Sequence, residues 1–163
     1  MHITLRDFIT IKRGTILVTM TGTKYWIPIK DADDRARALY HRHYSCYHYA
    51  DGRKPLKIIG PGEYMLMLTQ DCKAVWAWRK FIDDSGQKGI NNSIFRNEGE
   101  TLSSLLIKEA DEMAWDRWPE PRHYTYVDPK KIRSSNPGYC YIQAGWNKCG
   151  VTGKGLIILE IVK

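Results

Sequence analysis

The chain has 163 residues, 43% of them hydrophobic, and a formal net charge of +7. That length suits one domain with a sizeable core, and the hydrophobic fraction excludes an intrinsically disordered chain. No apolar run is as long as a membrane span, and Met1–Asp7 lacks the layout of a secretory signal, so we expect a cytoplasmic protein without membrane contact. Cys46, Cys72, Cys140 and Cys149 form no CxxC pair, which indicates reduced thiols.

The positive charge is concentrated in the first half of the chain. Residues 1–80 hold 14 Lys or Arg and 7 Asp or Glu, whereas residues 81–163 hold 11 of each class. A basic half attracts polyanions such as DNA or RNA, but ordinary solubility charge explains the same excess. Charge alone supports these two interpretations about equally.

The first predicted elements are strands. Phe8–Ile11 and Thr15–Thr19 are rich in β-branched residues, and Lys12–Gly14 between them predicts the turn of a hairpin. Thr23–Ile27 is a weaker strand candidate, which we expect to end at Pro28 because proline lacks a backbone N–H donor. None of these elements carries side chains arranged for chemistry.

A helix is predicted from Asp31 to Tyr40, because acids lie in its first turn and arginines lie later. The loop that follows, residues 40–51, holds three histidines, four tyrosines and a cysteine. Its histidines could be acid/base groups or metal ligands. In a second interpretation, its tyrosines stack on an unpaired base of a nucleic acid whose phosphates contact Arg42 and Arg53. In a third, the loop is an aromatic wall whose histidines are satisfied by hydrogen bonds. The density of such side chains favours a site.

The middle of the chain predicts an antiparallel strand pair after a turn at Gly60–Gly62. Tyr64–Leu68 is an apolar run typical of a buried strand, and Ala74–Arg79 is expected to return beside it. Trp76 and Trp78 are two residues apart and therefore share one face. We assign that face to the core, because tryptophan buries a large area.

A longer unit, residues 93–146, is predicted to organise the chain. The strand Ser93–Asn97 leads through a polar loop into a helix over about Leu105–Trp118, and a second strand covers His123–Asp128. The helix is expected to bury one face and to expose the other. The buried face comprises Leu102, Leu106, Ala110, Met113 and Ala114, and the outward face comprises Lys108, Glu109, Asp111 and Glu112.

The start of that helix is a candidate phosphate site. Thr101, Ser103 and Ser104 supply oxygens that are expected to cap its first turn. The backbone N–H groups of a helix N-terminus also attract phosphate. A last, short helix is expected to be capped by Asn136, with Pro137 at its first position.

The unit from Ser93 to Trp146 resembles the second half of GNAT acyltransferases, in which a helix N-terminus holds the pyrophosphate of coenzyme A. Tyr141–Trp146 is similar to the tyrosine-x-x-small-glycine-aromatic pattern of that family, whose tyrosine often protonates the departing thiolate. The resemblance implies an α/β (α+β) fold, with a twisted, mostly antiparallel sheet, one parallel pairing and flanking helices. It implies an acetyl-CoA or other acyl-CoA cofactor, and the candidate contacts are Arg96, Asn97, Ser103, Ser104 and Asn136.

The same resemblance gives the two halves of the chain different roles. We expect a single domain over residues 1–163, in which residues 1–80 shape the acceptor side and residues 81–163 the coenzyme side. The basic excess then lies on the acceptor side, where it suits a polyanionic acceptor and disfavours a cationic amine. The glycine-rich loop usual in GNAT proteins is absent from this sequence.

Several short sequence segments resemble those of a narrower group, the phage and prophage proteins related to the DNA-modification protein Mom, over roughly Tyr40 to Glu160. These segments are Arg96–Glu98, Arg117–Pro119, Tyr124–Val127, Lys131–Ser134, Asn136–Cys140 and Gly155–Glu160. The resemblance implies transfer of an acyl-type, carbamoylmethyl-like group to a base amine of DNA in the host cytoplasm, with adenine as the expected base.

The Mom-like resemblance also marks His43 and Tyr44 as functional. Together with Asp128 and Tyr141 they are the candidate catalytic residues. Because Mom-like proteins have been associated with iron, His43, Tyr44 and Asp128 are also candidate metal ligands. Asp128 before Pro129 is a common start of a turn, so its role as a base, a ligand or a turn residue stays open.

Double-stranded or locally opened DNA and an acyl-CoA are the expected partners. The candidate phosphate contacts are Arg42, Arg53, Lys54, Lys57 and Arg79. Three other hypotheses stay open. The first is a conventional acetyl-CoA-dependent N-acetyltransferase for a protein or small-molecule amine, and the second is a different base-modification transferase on the same scaffold, which acts on an amine already installed by another enzyme. The third is a non-catalytic nucleic-acid-binding protein on a GNAT scaffold, which the missing glycine-rich loop favours.

Overall fold

Nine strands and three helices make up the part of the chain that the structure, a computed structural model, describes: residues 9–12, 15–18, 22–82 and 84–163. The strands are β1 (Ile9–Lys12), β2 (Thr15–Val18), β3 (Trp26–Ile29), β4 (Glu63–Thr69), β5 (Ala74–Lys80), β6 (Ile90–Asn97), β7 (Arg122–Val127), β8 (Asn147–Val151) and β9 (Ile157–Val162). The helices are α1 (Asp34–Tyr40), α2 (Ser103–Arg117) and α3 (Tyr139–Gln143). None of the helices in these ranges has both the length and the apolar character that crossing a bilayer requires.

Seven strands form one sheet in the order β3-β4-β5-β6-β7-β9-β8. Every neighbouring pair is antiparallel except β6 and β7, which are parallel. The predicted fold class, an α+β fold with a mostly antiparallel sheet and one parallel pairing, is therefore confirmed. β1 and β2 form a separate antiparallel hairpin in which Lys12 pairs with Thr15. The predicted turn residues 13–14 and the predicted strand ends Phe8 and Thr19 lie outside the described residues.

Strand β3 lies at one edge of the sheet and contains the proline that we expected to end it. Pro28 pairs with Met67 of β4 within a continuous register from Trp26 to Ile29. An edge strand is hydrogen-bonded on one side only, so a proline there need not interrupt the ladder. The prediction that the strand ends at Pro28 is therefore wrong.

The sheet opens between its two parallel strands. β6 pairs with β7 over Ile90–Asn92 and His123–Thr125, and the ladder ends there. At Ser93 the register against β5 slips by one residue, and such a bulge bends the strand. The carboxyl ends of β6 and β7 are therefore not joined by a ladder, and ligands of α/β proteins bind at such strand ends.

Two buried clusters pack on opposite faces of the sheet. One lies beneath α2 and α3 and includes Trp76 and Trp78, both completely buried, which confirms their assignment to the core. The other lies beneath α1 and includes Leu39, Val75 and Ala77. The alternation of side chains along β5 explains this division, because Trp76 and Trp78 point to one face and Val75 and Ala77 to the other.

Helix α2 begins earlier than predicted and is capped differently. Its N-cap residue is Leu102, which makes no side-chain hydrogen bond. The prediction that Thr101, Ser103 and Ser104 cap the first turn is therefore wrong. The Leu102 side chain carries no acceptor for the orphan N–H groups of the helix start. The Leu105 N–H donates to the Leu102 carbonyl oxygen at 3.0 Å, so the first-turn donors that an outside ligand can use are those of Ser103 and Ser104.

Two residues that we assigned to the outward face of α2 are engaged with the rest of the protein. Asp111 is buried, so its predicted exposure is wrong. Glu109 accepts hydrogen bonds from the main-chain N–H groups of Tyr25 and Trp26, at 2.8 and 2.9 Å. Helical periodicity places acidic side chains on a polar face, but it does not distinguish water from a polar partner in another element.

Helix α3 begins after a glycine rather than at the predicted cap. Gly138 adopts a left-handed φ of 81° directly before Tyr139. Asn136 and Pro137 lie in the preceding turn, where the Tyr139 N–H donates to the carbonyl oxygen of Asn136 at 3.1 Å, so capping by Asn136 is wrong. A Cβ at position 138 would lie 2.6 Å from Leu159 Cδ1, so both space and φ favour glycine there.

Candidate active site in the opened sheet

A cleft of about 350 Å³ lies between the separated ends of β6 and β7. Phe95 lines it from β6, Val127 from β7 and Tyr141 from α3. The loop that precedes α3 closes another side through Ile132 and Asn136. The opened strands and an aromatic wall therefore face one narrow cavity.

A second pocket of about 370 Å³ adjoins the cleft. Phe95 and Val127 line only the first cavity, whereas Asn91 and Asp128 line only the second. Val127 and Asp128 are adjacent and point to opposite faces, and the bulge at Ser93 places Phe95 and Asn91 on opposite faces as well. The two cavities therefore open on opposite faces of the sheet. The residues that line both are His43, Tyr44, Asn92, Ser93 and Tyr126.

His43 and Tyr44 stand in the gap between the two parallel strands. Their rings stack with centroids 4.5 Å apart. His43 and Tyr44 line both cavities together with Ser93 of β6 and Tyr126 of β7. The pair therefore lies at the place where the ladder between these two strands has ended.

The environment of His43 keeps its imidazole neutral. Burial lowers its pKa to about 4, and the positive charge of Arg96 acts in the same direction. Nδ1 lies 2.7 Å from the Ser45 hydroxyl and accepts the Ser45 N–H at 3.2 Å. The Nδ1 lone pair is therefore turned towards Ser45, which lines the second pocket.

Tyr141 is the buried hydroxyl of the cleft. It donates to Asn92 Oδ1 at 2.6 Å, and the Asn92 amide nitrogen donates in turn to the carbonyl oxygens of Ala77 and Ile94. Burial raises the pKa of Tyr141 well above its usual value. The phenol therefore carries its proton at physiological pH and lies on the same cleft as His43.

Two of the predicted ligand-binding arginines are held by one carboxylate. Arg42 donates to both oxygens of Glu98, at 2.8 and 2.7 Å, and Arg96 donates to the same carboxylate at 2.5 Å. The Arg42 hydrogen bonds, followed by those of Arg96, lower the pKa of Glu98 to about 2. Arg42 and Arg96 therefore fasten the loop after α1 to the end of β6 rather than standing free for a phosphate.

The other predicted coenzyme contacts lie around the start of α2 and in the loop before α3. The Asn97 amide nitrogen donates to the Thr101 carbonyl and to Ser103 Oγ, at 2.7 and 3.0 Å. Asn97 therefore ties the end of β6 to the first turn of α2. Asn136 lines the cleft, whereas Ser103 and Ser104 line neither cavity.

The remaining predicted catalytic residue, Asp128, acts as a turn residue. Its Oδ1 accepts the main-chain N–H of Lys130 at 3.0 Å, as in an Asx turn. Its carboxylate also lines the second pocket. Within the described ranges, no three His, Cys, Asp or Glu side chains converge closely enough to hold a metal ion, so the predicted iron site has no support there.

The other predicted nucleic-acid contacts lie outside both cavities. Arg53 pairs with Asp51 and lies 5.0 Å from the ring centroid of Tyr49. Arg79 donates to the Pro61 carbonyl and stacks on Phe81 at 3.7 Å. The side chains of Lys54 and Lys57 are exposed.

The histidine-rich loop separates into different environments. His41 is hydrogen-bonded to the Pro55 carbonyl at 2.9 Å, His48 is exposed, and Cys46 is buried. Of its three histidines only His43 lines the cavities, so the acid/base interpretation fits His43 and the aromatic-wall interpretation fits the remainder. Sequence reasoning missed Ser45 and Tyr126, whose positions became informative only once the loop lay against β6 and β7.

Comparison with solved structures shows what this fold is. A mutant of the spermidine N-acetyltransferase SpeG from Vibrio cholerae superposes with a TM-score of 0.60 and 10% identity, over 84% of this chain and 92% of that one. The GNAT domain of PAT from S. lividans superposes with a TM-score of 0.56 and 15% identity, over 85% of this chain and 89% of that one. Aminoglycoside acetyltransferase AAC(6')-Ib, solved with coenzyme A, superposes with a TM-score of 0.55 and 13% identity, over 85% of this chain and 94% of that one.

The fold is therefore that of GNAT acetyltransferases, as the sequence predicted. The sequence matches no protein-family model. No curated protein resembles it significantly in sequence. None of the similar structures reported above is a Mom-like DNA-modification protein, so that narrower prediction has no support from the comparisons.

Proposed function

We propose that the protein is an acyl-CoA-dependent N-acyltransferase, which moves an acyl group from the coenzyme to an amine. The observation that carries the proposal is the pair of cavities on opposite faces of the opened sheet, which share His43, Tyr44 and Ser93. Transfer between two molecules is accelerated when each is held on its own side of a common point. The structures of similar fold are acetyltransferases, and one of them was solved with coenzyme A.

The cleft on the α2–α3 face fits the donor. Its apolar walls at Phe95 and Val127 suit the pantetheine arm. The start of α2, whose Ser103 and Ser104 line neither cavity, is the proposed site of the pyrophosphate. α2 has no acidic residue in its first turn and no side-chain cap, so no group of its own first turn competes with a phosphate there. When bound, an acyl-CoA supplies an activated thioester carbonyl.

Tyr141 is the proposed proton donor. Its raised pKa keeps the phenol protonated, and its position on the cleft lets it face a departing thiolate. Its hydroxyl proton is directed at Asn92 Oδ1, so donation requires that this hydrogen bond is exchanged for one to the leaving sulfur. General acid catalysis by a positioned side chain contributes about 10²–10⁴-fold in rate.

His43 and Ser45 are the proposed proton acceptor. A neutral imidazole whose Nδ1 faces the Ser45 hydroxyl can take a proton through that hydroxyl from an amine in the second pocket. Burial lowers the pKa of His43 to about 4, so the imidazole is a weak base that stays ready at neutral pH. Tyr44 and Ser93 line both cavities and lie beside the proposed point of transfer.

The first experiment measures coenzyme binding by calorimetry with acetyl-CoA. Ser104→Glu places a carboxylate in the first turn of α2, where it stabilises the helix by about 0.3–1 kcal/mol but repels a pyrophosphate. We expect this variant to unfold at a higher temperature than wild type and to bind acetyl-CoA at least about tenfold more weakly. Ser104→Ala is the matched control and should bind normally. Equal binding by all three proteins would place the pyrophosphate elsewhere.

The second experiment measures turnover. Free thiol released from acetyl-CoA is followed with a panel of amines, and a His43→Gln variant is compared with wild type. We expect amine-dependent thiol release that falls about 10²-fold in the variant, because the proton acceptor is lost. Binding of acetyl-CoA without thiol release for any amine would remove support for the enzymatic proposal.

A nucleic-acid base is the second candidate acceptor. The observation that favours it is the exposed aromatic pair Tyr47 and Tyr49, whose rings lie 4.9 Å apart beside the cation of Arg53. Such rings suit stacking on unpaired bases. The expected result is a new nucleoside, found by mass spectrometry in DNA from cells that express the protein and missing with His43→Ala. Identical nucleosides in both samples and in DNA from control cells would exclude it.

A further inference from the structure

The second pocket carries a single acidic and a single basic side chain, and this narrows the class of acceptor. Asp128 is the only carboxylate and Lys131 the only amine among the residues that line it. Over the described part of the chain, neither side chain takes part in an ion pair. Asp128 Oδ1 accepts one main-chain N–H, from Lys130 at 3.0 Å, which leaves acceptor capacity on the carboxylate.

These two opposite charges belong to one tight turn. The Lys131 N–H donates to the Asp128 carbonyl oxygen at 3.1 Å, so the two residues close the turn that follows β7. Their side chains therefore start close together and line the same pocket. A ligand that carries an ammonium and a carboxylate on one carbon atom matches such a pair.

The rest of the pocket is suited to a small body beside that head group. Tyr44, Tyr126 and Leu156 supply two rings and an aliphatic side chain. The Tyr44 ring stacks on His43, with centroids 4.5 Å apart, at the wall that this pocket shares with the cleft. A volume of about 370 Å³ admits a small molecule rather than a folded acceptor.

A polycationic acceptor fits this pocket poorly. Each ammonium group that leaves water requires an opposite charge or hydrogen-bond acceptors, and the lining offers one carboxylate beside one cation. The excess positive charge of residues 1–80 adds a repulsion. The pocket therefore differs in charge from one built for substrates such as the spermidine and aminoglycosides that two of the fold relatives acetylate.

We propose that the acceptor is a free α-amino acid with an apolar side chain, acylated on its α-amine. This inference rests on the proposed N-acyltransferase function. Lys131 holds the carboxylate, Asp128 draws in the ammonium, and the amine lies at the wall shared with the coenzyme cleft, next to His43 and Ser93.

The reaction balances without a further reactant. The ammonium loses one proton through Ser45 to His43, and the amine nitrogen attacks the thioester carbonyl carbon. The new C–N bond forms, the C–S bond breaks, and the thiolate takes a proton from Tyr141, which regains one from the attacking nitrogen. The products are an N-acylamino acid, free coenzyme thiol and one proton that leaves His43 for solvent.

The test compares L-leucine with leucinamide, which keeps the amine and side chain but lacks the carboxylate. With acetyl-CoA as donor, we expect kcat/KM for leucine to exceed that for leucinamide by at least about tenfold. Lys131→Met should remove this difference by raising the KM for leucine, while the values for leucinamide and for acetyl-CoA stay as in wild type. Lys130→Met, a change at the neighbouring exposed lysine, is the matched control and should behave as wild type.

Different outcomes separate this inference from the function on which it rests. If acetyl-CoA binds and spermidine, kanamycin or leucinamide is acylated with a kcat/KM equal to that of leucine, the amino-acid proposal is overturned and the acyltransferase proposal stands. An equal loss of activity towards leucine and leucinamide in Lys131→Met also overturns it, because the lysine would then not read the carboxylate. Failure of acetyl-CoA to bind overturns both.

Discussion

At the scale of single residues, Tyr141 shows how burial and geometry combine in the candidate site. Its hydroxyl is the only hydrogen-bond donor to Asn92 Oδ1 in the described part of the chain, and the amide side of Asn92 is committed to β5 and β6. The phenol thus has a structural partner and a proposed catalytic partner. Substitutions at this position should therefore change stability and rate together.

Tyr141→Phe removes the hydroxyl and leaves the ring. We expect kcat for acyl transfer to fall about 10²-fold, since the proton donor is lost, with a smaller change in the KM for acetyl-CoA. We also expect unfolding in urea to become easier by about 1–3 kcal/mol, because the buried Asn92 oxygen loses its partner. Tyr47→Phe, at an exposed ring outside both cavities, is the control and should leave both quantities unchanged. An unaltered kcat in Tyr141→Phe would exclude the role as acid.

The lowered pKa of His43 makes the protein less stable as the pH falls. Its pKa is about 4 in the folded protein and near 6.5 in the unfolded chain. Between these values the unfolded chain binds more protons, so this contribution to stability falls as pH drops from about 6.5 towards 4 and is constant above 6.5. Urea unfolding measured from pH 8 to pH 4.5 should show a decline in the free energy of unfolding. His43→Gln should reduce this decline, and His48→Gln, a change at an exposed site, should leave it unchanged. A decline unaffected by His43→Gln would contradict this assignment.

At the scale of elements, a buried polar network joins α2, β7 and the segment after α3. His123 Nδ1 lies 2.7 Å from Asp111 Oδ1, and Trp146 Nε1 donates to Asp111 Oδ2 at 2.8 Å. Burial raises the pKa of Asp111, while the hydrogen bonds from His123 and Trp146 oppose that rise. One carboxyl group thus ties α2 and the segment after α3 to β7, the strand that supplies Thr125, Tyr126 and Val127 to the cleft.

Asp111→Ala should destabilise the fold strongly. Removal of one partner leaves buried His123 and Trp146 donors without their acceptor, which typically costs about 3–5 kcal/mol. Glu112→Ala changes the neighbouring exposed acid in the same helix and should cost less than about 0.5 kcal/mol. Equilibrium urea unfolding of both variants measures this difference. Similar values for the two would mean that the network contributes little.

At the scale of the whole molecule, the seam between β6 and β7 divides the sheet into two blocks. Three residue pairs join these strands, against six that join β5 and β6. The ladder between β6 and β7 stops at Asn92. His43 and Tyr44, which come from the first half of the chain, line both cavities at this opening. The second pocket takes residues 43–45 from the first half and the rest of its lining from the second.

Coenzyme binding should stiffen this seam selectively. With acetyl-CoA at about a hundred times its Kd, the fold gains about 2.7 kcal/mol, which corresponds to a rise in Tm of roughly 5–10 °C for a chain of this size. Hydrogen exchange should slow most at Ile94–Asn97 and Tyr126–Val127, and the β3–β4 pair should change little. Equal protection throughout the sheet would indicate a ligand site away from the seam.

The sequence by itself determined the strand pair β4–β5, the strand–helix–strand unit of β6, α2 and β7, and the core tryptophans. Local periodicity and turn residues report these directly, because each depends on neighbours in the chain. It also directed attention to His43, Tyr44 and Tyr141, through the density of the histidine loop and through likeness to known families.

The tertiary structure alone decided which of those side chains meet. Arg42 and Arg96 turned out to share Glu98, Asp111 to lie in the core, and Ser45 and Lys131 to line one pocket. Such partners come from positions distant in sequence, and a polar side chain shows the same local pattern whether it faces water or another element. Contacts between distant segments, and the opening at the seam that creates both cavities, are fixed only when the whole sheet assembles.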